Sequence, residues 1–554
     1  MAKEVEKLKT EIERLRKELK RRKKYGLVWE EKPEEVVEMC KEKLPVLKEV
    51  KNKEIITDKD KPVNLLIEGD NYHALSVLNY THAKKVDVIY IDPPYNTGAK
   101  NWKYNNRYVE KEDAFRHSKW LSMMEKRLSL AKNVLKTNGC LICAIDENEH
   151  ANLVLLLKQI FPGHNIDSIT VVHNPRGVQG KNFSYNHEYA VFVYPNSKEK
   201  YISNAQREST LVRNFRVDGS NSPRNTAKTC FYPFIIKDEE IIGVGEVAPK
   251  NFHPKKQTVE IKKGVFQVWP IDVKDIERKW SYSRNTVEQI IDQLSVKKRS
   301  KGFEIYRSKE EAPYRTVWID PKYDANEYGS KLVNSITGVQ FPFPKSLYTV
   351  KECLKAVVKN KKDAIILDFF AGSGTTGQAV LEMNKEDGGR RKFIICTNNE
   401  GNIAIEVCYP RIKNVIKGYK KYGNGELIKG LNGNLKYFKT DFVDYDEPTD
   451  KNKIKLTAEA TEMLCVKEGT FDKVLEQRYF KIFKNTNHYT GIIFDQAAIA
   501  AFKKAIKVIK GKFSVYIFSL CDETFDEEFE DVKQEIQLSP IPEVILRVYR
   551  RIFK

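Results

Sequence analysis

The stretch that decides the fold is Val86–Gly98, VDVIYIDPPYNTG. Its first half is a near-continuous apolar run. That predicts a strand buried on both faces, as in a parallel sheet covered by helices. Its second half delivers an acid, two prolines, a tyrosine and a turn. Proline lacks an N–H and has a fixed φ, so the tip is stiff. The carbonyl before each proline cannot be drawn into regular strand pairing with that proline's nitrogen. A strand ending at a proline-rich turn accounts for the spelling. So does a pocket holding an acceptor, a fixed carbonyl and an aromatic face.

Working outward, strands and helices alternate. NLLIEGDN (64–71) reads as a strand and turn, and HSKWLSMMEKRLSLAKNVL (117–135) as a helix with Trp120, Met124, Leu128, Ala131 and Leu135 on one face. GCLICAID (139–146) is a strand, ENEHANLVLLLKQIF (147–161) a helix, and DSITVVHNP and EYAVFVYP two more strands. From about Asn196 to Asp320 the period breaks down into mixed basic, aromatic and turn residues, as expected of an insertion. It resumes at DAIILDFFAGSGTTGQAVLEMN (363–384): strand, glycine turn, helix. RKFIICTNNE adds a strand and IAIEVCYPRIKNVIKGY a helix. After about Gly430, YTGIIFD, FSVYIFSL and IAAFKKAIKVIKG read as a small α/β domain. At the other end, Leu8, Ile12, Leu15 and Leu19 form a short coiled-coil stripe over residues 3–24.

The chain has 554 residues, enough for several domains, with 96 Lys plus Arg against 76 Asp plus Glu. The resulting +20 favours a polyanionic partner such as nucleic acid, although a solvated lysine-rich surface gives the same count. No apolar run approaches bilayer-spanning length, and the charged N-terminus lacks a signal-peptide core. Of the nine cysteines only Cys140 and Cys143 are close, inside a strand where cysteine acts as a small hydrophobe, so no metal site is expected. Reduced thiols point to a cytoplasmic location.

LDFFAGSGTTG (367–377) places Gly372 and Gly374 after a strand and before a helix, whose N-terminal amides are free. A phosphate loop would need a Lys-Ser/Thr pair, but Gln378 follows Gly377. GSGTTG satisfies G-x-G-x-x-G, and Glu400 ends the following strand, where an acid can accept from ribose hydroxyls. The pair suits an adenosine-containing cofactor and leaves NAD and S-adenosylmethionine open. Asp92-Pro93-Pro94-Tyr95 decides between them. A carboxylate and a rigid carbonyl can both accept from one exocyclic amine, turning its lone pair towards a methyl donor, while the tyrosine stacks on the base. Hydride transfer has no use for that layout.

DPPY with FAGSGTTG, in that order, resembles the β group of DNA amino-methyltransferases, a permuted arrangement. LLIEGDNYHALSVLNYTH, NHEYAVFVY, FPFPKSLYTVKECL and TNNEGNIAIEVCYPRI extend the resemblance, over most of residues 25–440, to the modification (Mod) subunit of type III restriction–modification systems. The resemblance implies a doubly wound α/β methyltransferase sheet of permuted order. It divides the chain into an N-terminal helical segment (1–60), a catalytic half (61–195), a target-recognition domain (196–330), a cofactor half (331–430) and a C-terminal α/β domain (431–554).

It also assigns residues. Asp92, Pro93, Pro94 and Tyr95 become the target-base pocket, with Asp92 implying adenine N6, since cytosine-N4 enzymes more often carry serine there. Asp368, Phe370, Gly372, Ser373, Gly374 and Thr375 line the S-adenosylmethionine site, Asp70 approaches its adenine, Glu400 its ribose, and Phe341 and Lys345 its methionine end. A duplex hides the amine, so the base must flip out. Phe183, Tyr185 and Tyr189 are candidates to face Tyr95 across it, with ordinary core packing as the alternative. Arg176 and Lys181 are candidates to hold the DNA backbone, and Arg213, Arg216, Arg224, Lys297, Lys298, Arg299 and Arg307 to touch phosphate or guanine in the insertion. The implied partners are double-stranded DNA, a second copy of the chain and a separate helicase/nuclease restriction subunit, in a bacterial or archaeal cytoplasm. Cytosine-N4 methylation is the near alternative. A non-catalytic DNA-recognition subunit for a nuclease is the alternative of another class.

Overall fold

The computed structural model describes residues 12, 27–105, 107–177, 182–300, 302–445, 449–486, 488–521, 523 and 525–553, the side chains of 99–101 and 207–211 excepted. The expected coiled-coil stripe and Lys181 lie outside them, Ile12 apart. The chain divides into two compact units, residues 1–203 with 315–554, and Asn204–Tyr314.

The first unit is built on one mixed sheet. In chain order its strands are β1 (Lys43–Glu49), β2 (Val63–Glu68), β3 (Val86–Ile91), β4 (Leu135–Ile145), β5 (His164–Val172), β6 (His187–Pro195), β7 (Val317–Trp318), β8 (Ile365–Asp368), β9 (Lys392–Thr397) and β10 (Asn434–Asp444). Across the sheet they lie β1-β10-β2-β9-β8-β3-β4-β6-β5-β7, with Ile55–Ile56 pairing against β10. From β10 through β4 all neighbours are parallel. Then β6 runs antiparallel to both β4 and β5. The run at Val86 is thus a central strand, buried at every position, as its unbroken apolar spelling requires.

The helices that cover the sheet include α1 (Asn71–Thr81), α2 (Arg116–Val134), α3 (His150–Ile160), α4 (Leu347–Val358), α5 (Thr375–Asp387) and α6 (Tyr409–Lys417). The apolar face of α2 is real: Trp120, Met124, Leu128 and Ala131 are buried, while Leu135, expected to end the same face, is buried at the start of β4. Cys140 and Cys143 are buried in β4, as small hydrophobes. Glycine bounds α5 at both ends, Gly374 at φ +81° and Gly388 at φ +67°, a left-handed conformation that other residues adopt only at a cost.

Three boundaries differ from the sequence reading. Lys43–Glu49, expected within an N-terminal helical segment, is a sheet strand antiparallel to β10. Residues 434–444, expected to open a separate C-terminal domain, form β10 itself, beside β2. The five-stranded sheet that follows (Asp472–Glu476, Phe480–Lys484, His488–Ile493, Lys512–Phe518, Ile536–Ile541) keeps a core of its own around Phe480, Ile482, Phe502 and Val515, and also packs on the main sheet's core, Tyr516, Ile541 and Tyr549 joining Leu47, Tyr80 and Leu78. Chain order and local period carry no information on which sheet a strand joins. The insertion also ends earlier than residue 330, because Val317–Trp318 already pairs with β5.

The second unit holds an antiparallel three-stranded sheet (Asn204–Asn214, Gly302–Pro313, Leu294–Arg299) and a four-stranded one around Phe234–Lys237. Its core is aromatic, with Phe215, Tyr232, Phe234 and Trp280.

Candidate active site

The two motifs that lie far apart in sequence sit on adjacent parallel strands. Ile366 and Leu367 of β8 pair with Val88 and Ile89 of β3, so the tips at Asp92 and Asp368 leave the same edge of the sheet. Asp87 Oδ2 accepts from Ile365 N at 3.0 Å and ties the strands at their starts. Ligand clefts of open α/β sheets form at such carboxyl ends.

At the β3 tip, Asp92 does not stand alone. Lys345 Nζ lies 3.1 Å from Asp92 Oδ1 and 2.8 Å from Glu188 Oε2, and it also donates to the Tyr95 hydroxyl. Tyr95 in turn donates to Glu188 Oε2 at 2.9 Å, with the Lys345 ammonium 4.4 Å from its ring centre. The hydrogen bonds of Lys345 go to Glu188 and Tyr95. Asp92 Oδ1 is buried against the same ammonium, whose charge balances its own. Burial holds the Asp92 carboxyl above its usual range despite Lys345, and Glu188 adds to the rise. Burial pushes Glu188 the same way, but Lys345, then His173, outweigh it and keep Glu188 below its ordinary value. One lysine thus serves two unequal acids.

The backbone of the tip is anchored from behind. Trp120 Nε1 donates to the Pro94 carbonyl at 2.7 Å, leaving Pro93 as the proline carbonyl with no donor among the described residues. Asn96, at φ +58° and fully buried, turns the chain. Its amide contacts Glu149 Oε1 at 2.5 Å and the Arg116 carbonyl, and its oxygen accepts from Trp102 Nε1. His117 Nδ1 also reaches Glu149, at 2.6 Å.

At the β8 tip, Asp368 is a strut. It accepts from Thr376 Oγ1 at 2.5 Å and from Phe370 N at 3.0 Å, and burial pushes its carboxyl up to about 7. Gly372 and Gly374 have φ of +48° and +81°. A Cβ on Gly372 would stand 3.8 Å from the Phe341 ring, so Phe341 does lie over the glycine turn. Its neighbour Lys345, grouped with it in the sequence reading, reaches instead to Asp92.

Asp70 ends the loop after β2 and caps α1, accepting from Tyr72 N at 2.7 Å, with Arg127 Nη2 at 3.5 Å. Asn71, the next residue, donates to the Phe369 carbonyl at 3.1 Å and links that cap to the glycine turn. Glu400 follows β9, half exposed, and pairs with Lys103 at 2.5 Å. Phe183 and Tyr185 are 78% and 50% exposed, which removes core packing as their role. Tyr189 is stacked on His150 at 4.0 Å, and Arg176 is exposed.

In the second unit, Arg224 is spent on Glu277 and three carbonyls, and Arg216 on Asp218 and the Ile271 carbonyl. Lys297, Lys298 and Arg299 are exposed on one strand, Arg299 paired with Glu304 at 3.2 Å. The residues missed in the sequence are Glu188, Trp120 and Arg411. Only Glu188 carried a signal, an acid at the start of an otherwise apolar strand.

The type II methyltransferase M.KpnI of Klebsiella pneumoniae is 31% identical over 409 residues, which is 68% of this chain and 88% of that protein. The type III restriction–modification enzyme EcoPI Mod subunit of Escherichia phage P1 is 28% identical over 61% of this chain. The StyLTI Mod subunit of Salmonella typhimurium is 29% identical over 60% of it. The matches span only 58% and 52% of those two Mod subunits. The DNA methylase family of N6 and N4 methyltransferases matches residues 86–407, more than half of the chain, and the protein belongs to that family.

Proposed function

We propose that this protein transfers a methyl group from S-adenosylmethionine to the N6 amine of an adenine flipped out of double-stranded DNA. The observation that carries the reading is the pairing of β3 with β8, which brings the Asp92 carboxylate and the glycine turn to one edge of the sheet. An exocyclic amine can donate one N–H to the Asp92 carboxylate and the other to the Pro93 carbonyl, which leaves its lone pair pointing away from both. Trp120 and Asn96 hold the acceptors still, so orientation supplies most of the rate. Ionisation makes Asp92 the stronger acceptor, and Lys345 favours that state. Tyr95, held by Glu188, offers a ring to the base.

The glycine turn fits the methyl donor. Gly372 and Gly374 let backbone approach a ligand closely, and Phe341 covers the turn. Asp368, Phe370, Ser373 and Thr375 would hold it, with Asp70 towards the adenine and Glu400 towards the ribose. When bound, S-adenosylmethionine supplies an electrophilic methyl group. Adenine is favoured over cytosine because Asp92 stands where the N4 enzymes of the family more often carry serine.

The unit at Asn204–Tyr314 is the target-recognition domain in this reading, with Lys297, Lys298 and Arg299 towards phosphate. The likeness to Mod subunits supports a modification and specificity role in a restriction–modification system, as a homodimer with a separate restriction subunit. The 88% coverage of M.KpnI supports a second reading, a methyltransferase acting without that subunit. The test is purified protein with labelled S-adenosylmethionine and unmethylated genomic DNA, followed by digestion to nucleosides. N6-methyladenine is the expected product. N4-methylcytosine or no label in DNA overturns the assignment.

A further inference from the structure

Among the described residues of the first unit three arginines are deeply buried, and two have acids. Arg127 pairs with Glu34 at 2.7 Å, and Arg391 grips Asp387 through Nη1 at 3.0 Å and Nη2 at 2.9 Å. Arg411, in the first turn of α6, is fully buried and has no carboxylate within ion-pair distance among the described residues. Its Nε donates to Gln378 Oε1 at 2.9 Å. Its Nη1 donates to Ser373 Oγ at 2.9 Å, to Thr375 Oγ1 at 2.8 Å and, more weakly, to the Ser373 carbonyl at 3.4 Å. Its Nη2 has no partner. An uncompensated buried charge is costly, and such a charge is retained where a ligand completes it.

The contacts also fix polarity. A guanidinium only donates, so Ser373 and Thr375 must accept from it, and their own protons turn away. The two hydroxyl oxygens are 3.3 Å apart, so at most one proton is used between them. The amides opening α5 have no side-chain cap. The glycine turn therefore presents donors backed by a full positive charge. That surface suits an anion and repels an ammonium.

We propose that Arg411 is a positioning residue that makes the glycine turn select the carboxylate of the methyl donor's amino-acid end. This rests on the methyl-donor reading above and deepens it. Arg411 acts through Ser373 and Thr375, and its fixed charge is complemented only when that carboxylate is in place.

The test compares two ligands by titration calorimetry, S-adenosylhomocysteine and its decarboxylated analogue, which keeps the nucleoside, sulfur and amine. Arg411→Met is expected to weaken S-adenosylhomocysteine about tenfold or more, the scale of a charge-assisted contact, and to leave the analogue's affinity near wild type. Arg411→Lys should restore part of the difference. Should Arg411→Met fail to fold, Ser373→Ala with Thr375→Val carries the same expectation. Equal losses on both ligands, or none on S-adenosylhomocysteine, overturn the proposal while leaving the methyl-donor reading intact. Wild-type protein that binds neither ligand overturns both.

Discussion

The tips of β3 and β8 are neighbours in one sheet edge, yet they are built on opposite plans. The β3 tip is stiffened by two prolines and crowded with charge, Asp92 and Glu188 around one Lys345. The β8 tip is bent by glycines and holds hydroxyls against one arginine, while its acid, Asp368, is taken up by Thr376 and the Phe370 amide. The first arrangement keeps an acceptor ready for a neutral amine. The second keeps donors ready for an anion. Two ligands of different charge can therefore meet above adjacent strands without competing for the same groups.

The contrast can be broken most severely at Asp92. Asp92→Ala should lower kcat about 100- to 1,000-fold, the cost of losing one preorganised polar contact to the reacting group, with methyl-donor affinity unchanged. Equal loss in donor affinity would mean that the tips are not separate in function. Next, Lys345→Met leaves two acids without their shared cation. Both carboxyl pKa values rise, so the ionised fraction of Asp92 falls and the acid limb of the kcat–pH profile should move to higher pH. Stability should drop by about 3–5 kcal/mol, as when one partner of a buried pair is removed. An unmoved acid limb would show that Asp92 ionisation does not control the rate.

The third effect belongs to the β8 tip. Asp368 binds its proton more tightly folded, at about 7, than unfolded, at an ordinary carboxylate value. Below pH 4 both states are protonated and the group is silent. As pH rises towards 7 the unfolded chain loses the proton first. Stability therefore falls by about 1.4 kcal/mol for each pH unit between the two values, then levels off above the folded one. Asp368→Asn should flatten that part of the melting-temperature profile, while a persisting slope would assign it to other groups. The smallest change is Trp120→Phe, which leaves the Pro94 carbonyl without its donor and should cost about 1 kcal/mol with a modest fall in kcat. A fall as large as that of Asp92→Ala would give the carbonyl anchor a weight equal to the carboxylate.

Both tips were legible because each is a local event, a strand running into a turn whose residues are contiguous. A doubly wound sheet is what the resemblance implies, but that the two strands are neighbours is seen only in the pairing of Ile366 with Val88. The environment was harder. Lys345 follows Pro344 in FPFPKS, and nothing in that spelling says that its ammonium crosses to Asp92. Arg411, in YPRIKNVIKGY, reads like any solvated helical arginine, since burial depends on what α5 packs against it. Residues 434–444 read well as a strand, but their place beside β2 is a long-range choice that local period cannot express.

The pairing of β3 with β8 also bears on synthesis. Ile365 and Asp87, the residues that tie these strands together, are 278 positions apart. Contacts of such separation are the slow ones in folding. The acceptor half emerges from the ribosome long before the donor half, and its central strand has an open edge until β8 arrives. No chain that ends before β8 holds both tips, and the interval before residue 368 is when the nascent protein is most exposed to wrong strand pairing. Slow release of Val86–Ile91 from a chaperone, tracked on stalled chains of increasing length, should end abruptly once β8 has cleared the exit tunnel.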